Sequence, residues 1–306
     1  MKTILSHPEF SQMWEKIAQN NDMQTASHKY ETFADGWPNL FIDDVKQKIE
    51  HTDVTYLADI SKREELFQNY ALIRWVTDYY ADKLRVILPF FPVGTMERIS
   101  KKWEVATAKY FADILSTIPS WRKWKTSIHI FDIHNLSERF FFDSNHVNVE
   151  LHTAMSLIKE KISSETVVVF PDEGAKKRFS DDFEDYEVLH CSKKRVWEKR
   201  EITLEESNIE GKEVILIDDL IQSGGTLIET AKILRQKWAS KISAFATHGV
   251  FPNDSHKNLC EYVDELIVTN TIPGNEQRAE EVTNMQVLSI QKLVEKIISW
   301  DDQNEK

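Results

Sequence analysis

Short, near-continuous apolar runs rich in β-branched residues alternate along this chain with longer stretches of helical spacing. The runs cover residues 54–60, 85–91, 127–132, 166–171, 187–191, 213–217, 242–247 and 265–268. A strand with one wet face alternates apolar and polar residues, whereas a parallel strand covered on both faces reads as a continuous apolar run. Residues 64–82, 105–115, 147–161, 226–238 and 291–300 read as helices between or after the runs. Strand and helix in alternation predict α/β architecture with parallel sheets. That many strands in 306 residues suit two tandem doubly wound domains better than one large sheet. The polar segment 143–148 places the boundary near residue 145, giving domains 1–145 and 146–306, with a return of the last helix to the first domain left open. Ahead of the first run, Phe10, Met13, Trp14 and Ile17 fall at helical spacing and predict a docking helix.

Charge and composition narrow the function. Lys plus Arg number 38 against 50 Asp plus Glu, a net charge of −12. A chain this acidic repels nucleic acid, so an anionic substrate needs a locally positive or amide-lined pocket. The longest apolar run, residues 86–93, falls short of the roughly 20 residues that a membrane span requires. The first residues lack the apolar core of a secretion signal, so a cytoplasmic protein without a membrane partner is expected. Cys191 and Cys260 offer neither a disulfide framework nor metal-ligand spacing. Glycine numbers 8, where an average content of about 7% would supply roughly 21. Neither G-x-G-x-x-G nor G-x-x-x-x-G-K-[ST] occurs. Each remaining glycine is therefore worth reading as a backbone requirement.

The richest stretch runs from Val214 to Leu227: four apolar residues, Asp218, Asp219, then Ser223-Gly224-Gly225-Thr226 opening a helix. Amides at a helix N-terminus are free to hold an anion, and the helix dipole favours one. Gly224 and Gly225 let backbone approach phosphate oxygens, while Ser223 and Thr226 add hydroxyl donors. Carboxylates beside a phosphate cradle suit neighbouring hydroxyls, as on a sugar. An isolated Asp-Asp before a turn simply caps a helix; this one, between an apolar run and S-G-G-T, points to a sugar phosphate. The stretch resembles the ribose-5-phosphate loop shared by type I phosphoribosyltransferases and ribose-phosphate diphosphokinases (PRPP synthetases).

Other segments resemble the synthetases specifically, nearest to their plant-type branch. Asp132-Ile133-His134, with Phe-Phe-Asp143 downstream, is similar to the family's D-L-H and F-F-D segments. On a strand, residues two apart point the same way, as metal or phosphate partners should. The resemblance assigns Asp132 and His134 to the Mg-ATP end of the site and makes Asp143 a metal candidate. Pro171-Asp172-Glu-Gly174-Ala175 resembles the diphosphate turn P-D-x-G-G, in which the Asp assists a metal; Ala175 replaces the second glycine, as in the plant-type branch. The segment from Arg85 to Arg98 resembles I-P-Y-F…R-Q-D-R, with Arg98 for ATP phosphates and Thr95 where the family has a further arginine. Asp35-Gly36-Trp-Pro-Asn39 is similar to a segment contacting adenine nucleotide, giving Asp35 and Asn39 as ATP-binding candidates. Lys193 and Arg195 match the K-x-R of a mobile loop whose cations meet the transferring phosphoryl group.

The resemblance implies two domains of the type I phosphoribosyltransferase kind, the first contributing to an ATP site and the second binding ribose 5-phosphate. It implies transfer of the β,γ-diphosphoryl group of ATP to ribose 5-phosphate, with Mg²⁺ near Asp132, His134, Asp143 and Asp172, in a homo-oligomer. Two alternatives stay open. A phosphoribosyltransferase shares the 214–227 loop but usually has one domain and lacks the D-x-H and K-x-R elements. A non-catalytic regulatory subunit loses catalytic-loop residues, whereas Lys193, Arg195, His134 and Asp172 are all present here.

Overall fold

The computed structural model describes the chain except residues 79–80, 120–123, 197–198, 206 and 305–306, and except the side chains of 193–202 and 301–304. The described residues form two compact units, 1–152 with 290–306, and 153–289.

In the first unit, β1 (Lys2–Ser6), β2 (Gln24–Thr25), β5 (Asp53–Leu57), β6 (Lys83–Leu88), β7 (Thr126–Phe131) and β8 (Val147–His152) form a parallel sheet ordered β2-β1-β5-β6-β7-β8. Strands β3 (His28–Thr32) and β4 (Pro38–Ile42) form a separate antiparallel hairpin. The order reverses at β1: the chain first moves outward to β2, then to the other side through β5. Right-handed crossovers running in opposite directions lay helices on opposite faces, which makes the sheet doubly wound. Val54, Tyr56, Val86, Leu88, Ile128 and Ile130 supply one face of its core, against Leu72, Val76, Phe111 and Leu115 of the helices Arg63–Asp78 and Thr107–Ser116. The expected docking helix is Ser11–Asn20, burying Met13, Trp14 and Ile17. It packs on the last helix, Gln291–Asn304, with Asn20 Nδ2 donating to Glu295 Oε1 at 2.8 Å.

Residues 147–161 correct the expectation of a helix. Val147–His152 is the edge strand β8, and only Met155–Lys159 is helical. The sequence V-N-V-E-L-H alternates with period two, and pairing with β7 fixes it as a strand. The first unit accordingly extends to His152.

In the second unit, β9 (Val167–Phe170), β10 (Val188–Val196), β11 (Lys199–Leu204), β12 (Glu213–Ile221), β13 (Lys241–Gly249), β14 (Glu265–Thr269) and β15 (Met285–Leu288) form a sheet ordered β11-β10-β9-β12-β13-β14-β15. All neighbours are parallel except β10 and β11. The order reverses at β9: β10 lies on one side and β12 on the other. Strand β12 is longer than its apolar run, continuing through Asp218 and Asp219 to Ile221. The backbones of residues 191–196 and 199–204 pair as the antiparallel strands β10 and β11.

Candidate functional site

In an open α/β sheet a ligand sits beyond the carboxyl ends of the strands where the order reverses, because loops from adjacent strands part there and leave a crevice. In the second unit that place lies between β9 and β12. Asp172 follows β9, and Asp218, Asp219 and the Ser223–Thr226 turn end β12. The turn leads into the helix Gly225–Gln236, whose N-cap, Gly224, has φ +73 and makes no side-chain cap bond. Amides at this helix start are thus not consumed by a capping side chain. The left-handed backbone favours glycine at 224, and a Cβ there would also press on the Leu259 side chain at 3.3 Å. Ser223 and Gly225 are exposed and Thr226 is half-buried, as an open cradle requires.

The carboxylates define the electrostatics. Asp219 is buried and its amide donates to Asp218 Oδ1 at 2.9 Å. The Asp218 carboxyl is pushed well above its ordinary value, first by burial, then by the charge of Asp219, with Asp172 adding to it. Asp172 thus lies close enough to Asp218 to act on it, although far from it in sequence. Asp172 also caps the helix Glu173–Phe179, with Oδ1 accepting from the amides of Gly174 at 3.0 Å and Ala175 at 3.1 Å. The Gly174 amide expected at the diphosphate is therefore engaged with Asp172. Carboxylates at the neighbouring ends of β9 and β12 offer the hard oxygen donors that a divalent cation such as Mg²⁺ takes, although no three of them converge within ligand distance of one another.

Sequence reasoning missed the polar floor on the neighbouring strands. The Thr247 carbonyl accepts from the hydroxyls of Thr269 at 2.7 Å and Thr271 at 2.9 Å, and His248 Nδ1 contacts the Thr271 hydroxyl at 2.9 Å. Burial of polar side chains at the ends of β13 and β14 was the signal, and the sequence alone does not display burial.

In the first unit the loop after β6 and the turn after β7 meet. A Cβ on Gly94 would stand 3.1 Å from His134 Cβ and 3.5 Å from the Glu138 carboxylate. Glu138 accepts the Asn135 amide at 2.9 Å, and Asn135 accepts from Ser137 at 3.0 Å, a capping box that fixes the turn. Arg98 lies on the same loop, exposed, 3.6 Å from Glu97. Asp132 and His134 do not share a face as strand alternation would place them. Strand β7 ends at Phe131, Asp132 takes φ +35, and Asp132 is buried while His134 is exposed. The Asp132 amide donates to the His152 carbonyl at 2.9 Å. Asp143 closes an Asx turn, with Oδ1 accepting from the amide and side chain of Asn145, both at 2.9 Å. These bonds, the amide first, hold its carboxyl below the ordinary value. Asp35 lies in the exposed connection of the β3–β4 hairpin, its Oδ1 accepting from the Trp37 amide, and Asn39 stands on β4 opposite Glu31. They belong to the hairpin rather than to the Gly94–His134 junction. The backbones of Lys193 and Arg195 pair with Ile202 and Arg200; their side chains lie outside the described residues.

Known proteins match this chain. The N-terminal domain of ribose phosphate pyrophosphokinase matches residues 2–118, and the phosphoribosyl synthetase-associated domain matches residues 179–305. Ribose-phosphate pyrophosphokinase 4 of Oryza sativa subsp. japonica is 35% identical over 289 residues, covering 90% of this chain and 88% of that protein. Ribose-phosphate pyrophosphokinase 3, mitochondrial, of Spinacia oleracea is 40% identical over 254 residues, 81% of this chain and 62% of that protein. The phosphoribosylpyrophosphate synthetase of Mycobacterium smegmatis superposes with a TM-score of 0.84 at 24% identity, over 99% of both chains, and so shares the fold. The two doubly wound units thus have the fold of that synthetase. The chain belongs to the ribose-phosphate pyrophosphokinase family, and its plant relatives accord with the plant-type resemblance. It spans about three fifths of the length of the pyrophosphokinase 3 proteins of spinach, rice and Arabidopsis thaliana.

Proposed function

We propose that this protein is a ribose-phosphate diphosphokinase, transferring the β,γ-diphosphoryl group of ATP to the anomeric hydroxyl of ribose 5-phosphate. The observation that carries the reading is the strand–turn–helix at the β9/β12 reversal, where Asp218 and Asp219 flank an uncapped helix start. The anomeric oxygen attacks the β-phosphorus of ATP, the bond from that phosphorus to the α,β-bridging oxygen breaks, AMP departs, and the hydroxyl proton is lost to water. Asp218 and Asp219 hold the ribose hydroxyls, and residues 223–226 hold the 5-phosphate. Arg98, His134, Asp35 and Asn39 serve ATP; Lys193 and Arg195 oppose negative charge growing on the transferred phosphoryl oxygens. Mg²⁺ would neutralise phosphate charge when bound; the candidates to hold it are Asp172 in the second unit and Asp132, His134 and Asp143 in the first. Such a reaction depends on positioning and electrostatics, so no covalent nucleophile on the protein is needed.

Further copies of the chain belong to this reading as partners, and the cytoplasm as its compartment. Among the described residues no helix is long and apolar enough to cross a membrane. The test is incubation with Mg-ATP and ribose 5-phosphate, with chromatography for AMP. Ribose-5-phosphate-dependent AMP supports the reading, and its absence across pH and Mg²⁺ concentrations leaves the non-catalytic or phosphoribosyltransferase alternatives.

A further inference from the structure

A second group of metal-type donors lies on the sheet of the first unit, apart from the carboxylates of the second. Ile128 and Ile130 of β7 point into the main core, so by strand alternation His129 points to the opposite face. On that face β8 presents Glu150, in register with His129, and His152 one step further, in register with Phe131. His129 Nδ1 lies 2.9 Å from His152 Nε2 and 3.8 Å from Glu150 Oε2. The three donor atoms lie within 4.8 Å of one another, the one such trio of His, Cys, Asp or Glu among the described residues.

We propose that His129, Glu150 and His152 form a binding site for one borderline transition-metal ion, Zn²⁺ or a close relative. In a tetrahedral zinc site with bonds of about 2.0 Å, neighbouring donors stand about 3.3 Å apart. The two separations from His129 Nδ1 bracket that value, and a metal would replace the hydrogen bond that now joins the two imidazoles. Two imidazoles and one carboxylate match zinc, nickel or cobalt; Mg²⁺ prefers oxygen ligands throughout. The other ring nitrogen of His129, Nε2, lies 3.2 Å from the Ser127 hydroxyl. A hydroxyl at the second ring nitrogen is an outer partner of the kind that orients a ligating histidine.

Glu150, but neither histidine, lines together with Ser127 a cavity of about 140 Å³, large enough for water. A metal here would clamp the edge strand β8 to β7. His152 is the residue whose carbonyl holds the Asp132 amide, so the clamp would stiffen the turn leading to His134.

The experiment uses the full chain, stripped with a chelator and titrated with Co²⁺ and then Zn²⁺, with absorption spectra, metal-to-protein ratio and thermal midpoint as readouts. One equivalent of Co²⁺ with tetrahedral visible bands is expected, displaced by Zn²⁺ and unaffected by millimolar Mg²⁺. Zinc should raise the thermal midpoint. His152→Gln and Glu150→Gln, checked for folding by circular dichroism, should each weaken binding at least tenfold, whereas His51→Gln, on an exposed histidine, should not. Absence of stoichiometric binding overturns the proposal. So does binding that survives unchanged in both His152→Gln and Glu150→Gln, since the metal would then sit elsewhere. None of these readouts depends on diphosphoryl transfer.

Discussion

The amide of Asp219 donates to Oδ1 of Asp218 at 2.9 Å, a bond inside a pair of carboxylates that also feels Asp172. Without a cation or a sugar to engage them, these groups repel one another where water screens them poorly. The site is therefore built at some expense to the unliganded fold.

That repulsion has a pH signature. The Asp218 carboxyl is raised in the folded protein above its ordinary value of 3.8. The folded state then holds a proton that the unfolded state releases, so stability falls as pH rises from just below 4 toward the raised value. Asp218→Asn keeps the acceptor for the Asp219 amide and removes the charge. It should raise the thermal midpoint of unliganded protein at pH 7 by a few degrees and flatten the pH dependence. A midpoint below wild type at pH 7 would show that Asp218 stabilises the fold instead.

Asp172 combines a cap with a proposed cation contact, and two substitutions separate them. Asp172→Asn retains the acceptor for Gly174 and Ala175, so it should leave stability nearly unchanged while lowering activity at limiting Mg²⁺. Asp172→Ala should in addition lose about 1 kcal/mol of stability, the usual cost of removing an N-cap. Equal stability of the two variants in urea unfolding would remove the capping role.

The two adjacent glycines of the turn should respond differently. Gly224 has φ +73 and Leu259 within 3.3 Å of a built Cβ. Gly224→Ala should cost about 1–2 kcal/mol. Gly225 begins the helix, and its Cβ would meet only the Ser223 hydroxyl at 3.7 Å, an ordinary contact. Gly225→Ala should change stability by no more than about 0.5 kcal/mol. Chemical denaturation of both variants gives the comparison, and similar losses would refute it.

Transfer and sugar binding should separate in kinetics. Lys193→Ala and Arg195→Ala are each expected to reduce turnover at least tenfold with little change in KM for ribose 5-phosphate. Asp219→Asn should strongly raise that KM. Turnover untouched in the lysine and arginine variants would end the assignment of residues 193–195 to the transferring group.

Much of the site was legible because its requirements are local. Asp218, Asp219 and the S-G-G-T turn sit on one strand–turn–helix, and the backbone angle at Gly224 favours glycine. For Asp132 and His134 the expected shared face does not form: the turn at Asp132 breaks the alternation that would have aligned them. Arg98 and His134 belong to segments whose meeting, through Gly94, no local pattern announces.

The sequence by itself determined the alternation of buried strands and helices and the phosphate-type turn. Apolar runs, glycine placement and helix starts are properties of neighbouring residues. Tertiary structure decided what depends on which strands lie side by side. It placed β9 against β12, so that Asp172 acts on Asp218. It turned residues 147–152 into a strand by pairing them with β7, and that pairing set Glu150 and His152 beside His129. The physical reason is the same in each case: a charge, a ladder bond or a ligand donor acts through space at a few ångströms, and only folding sets those distances.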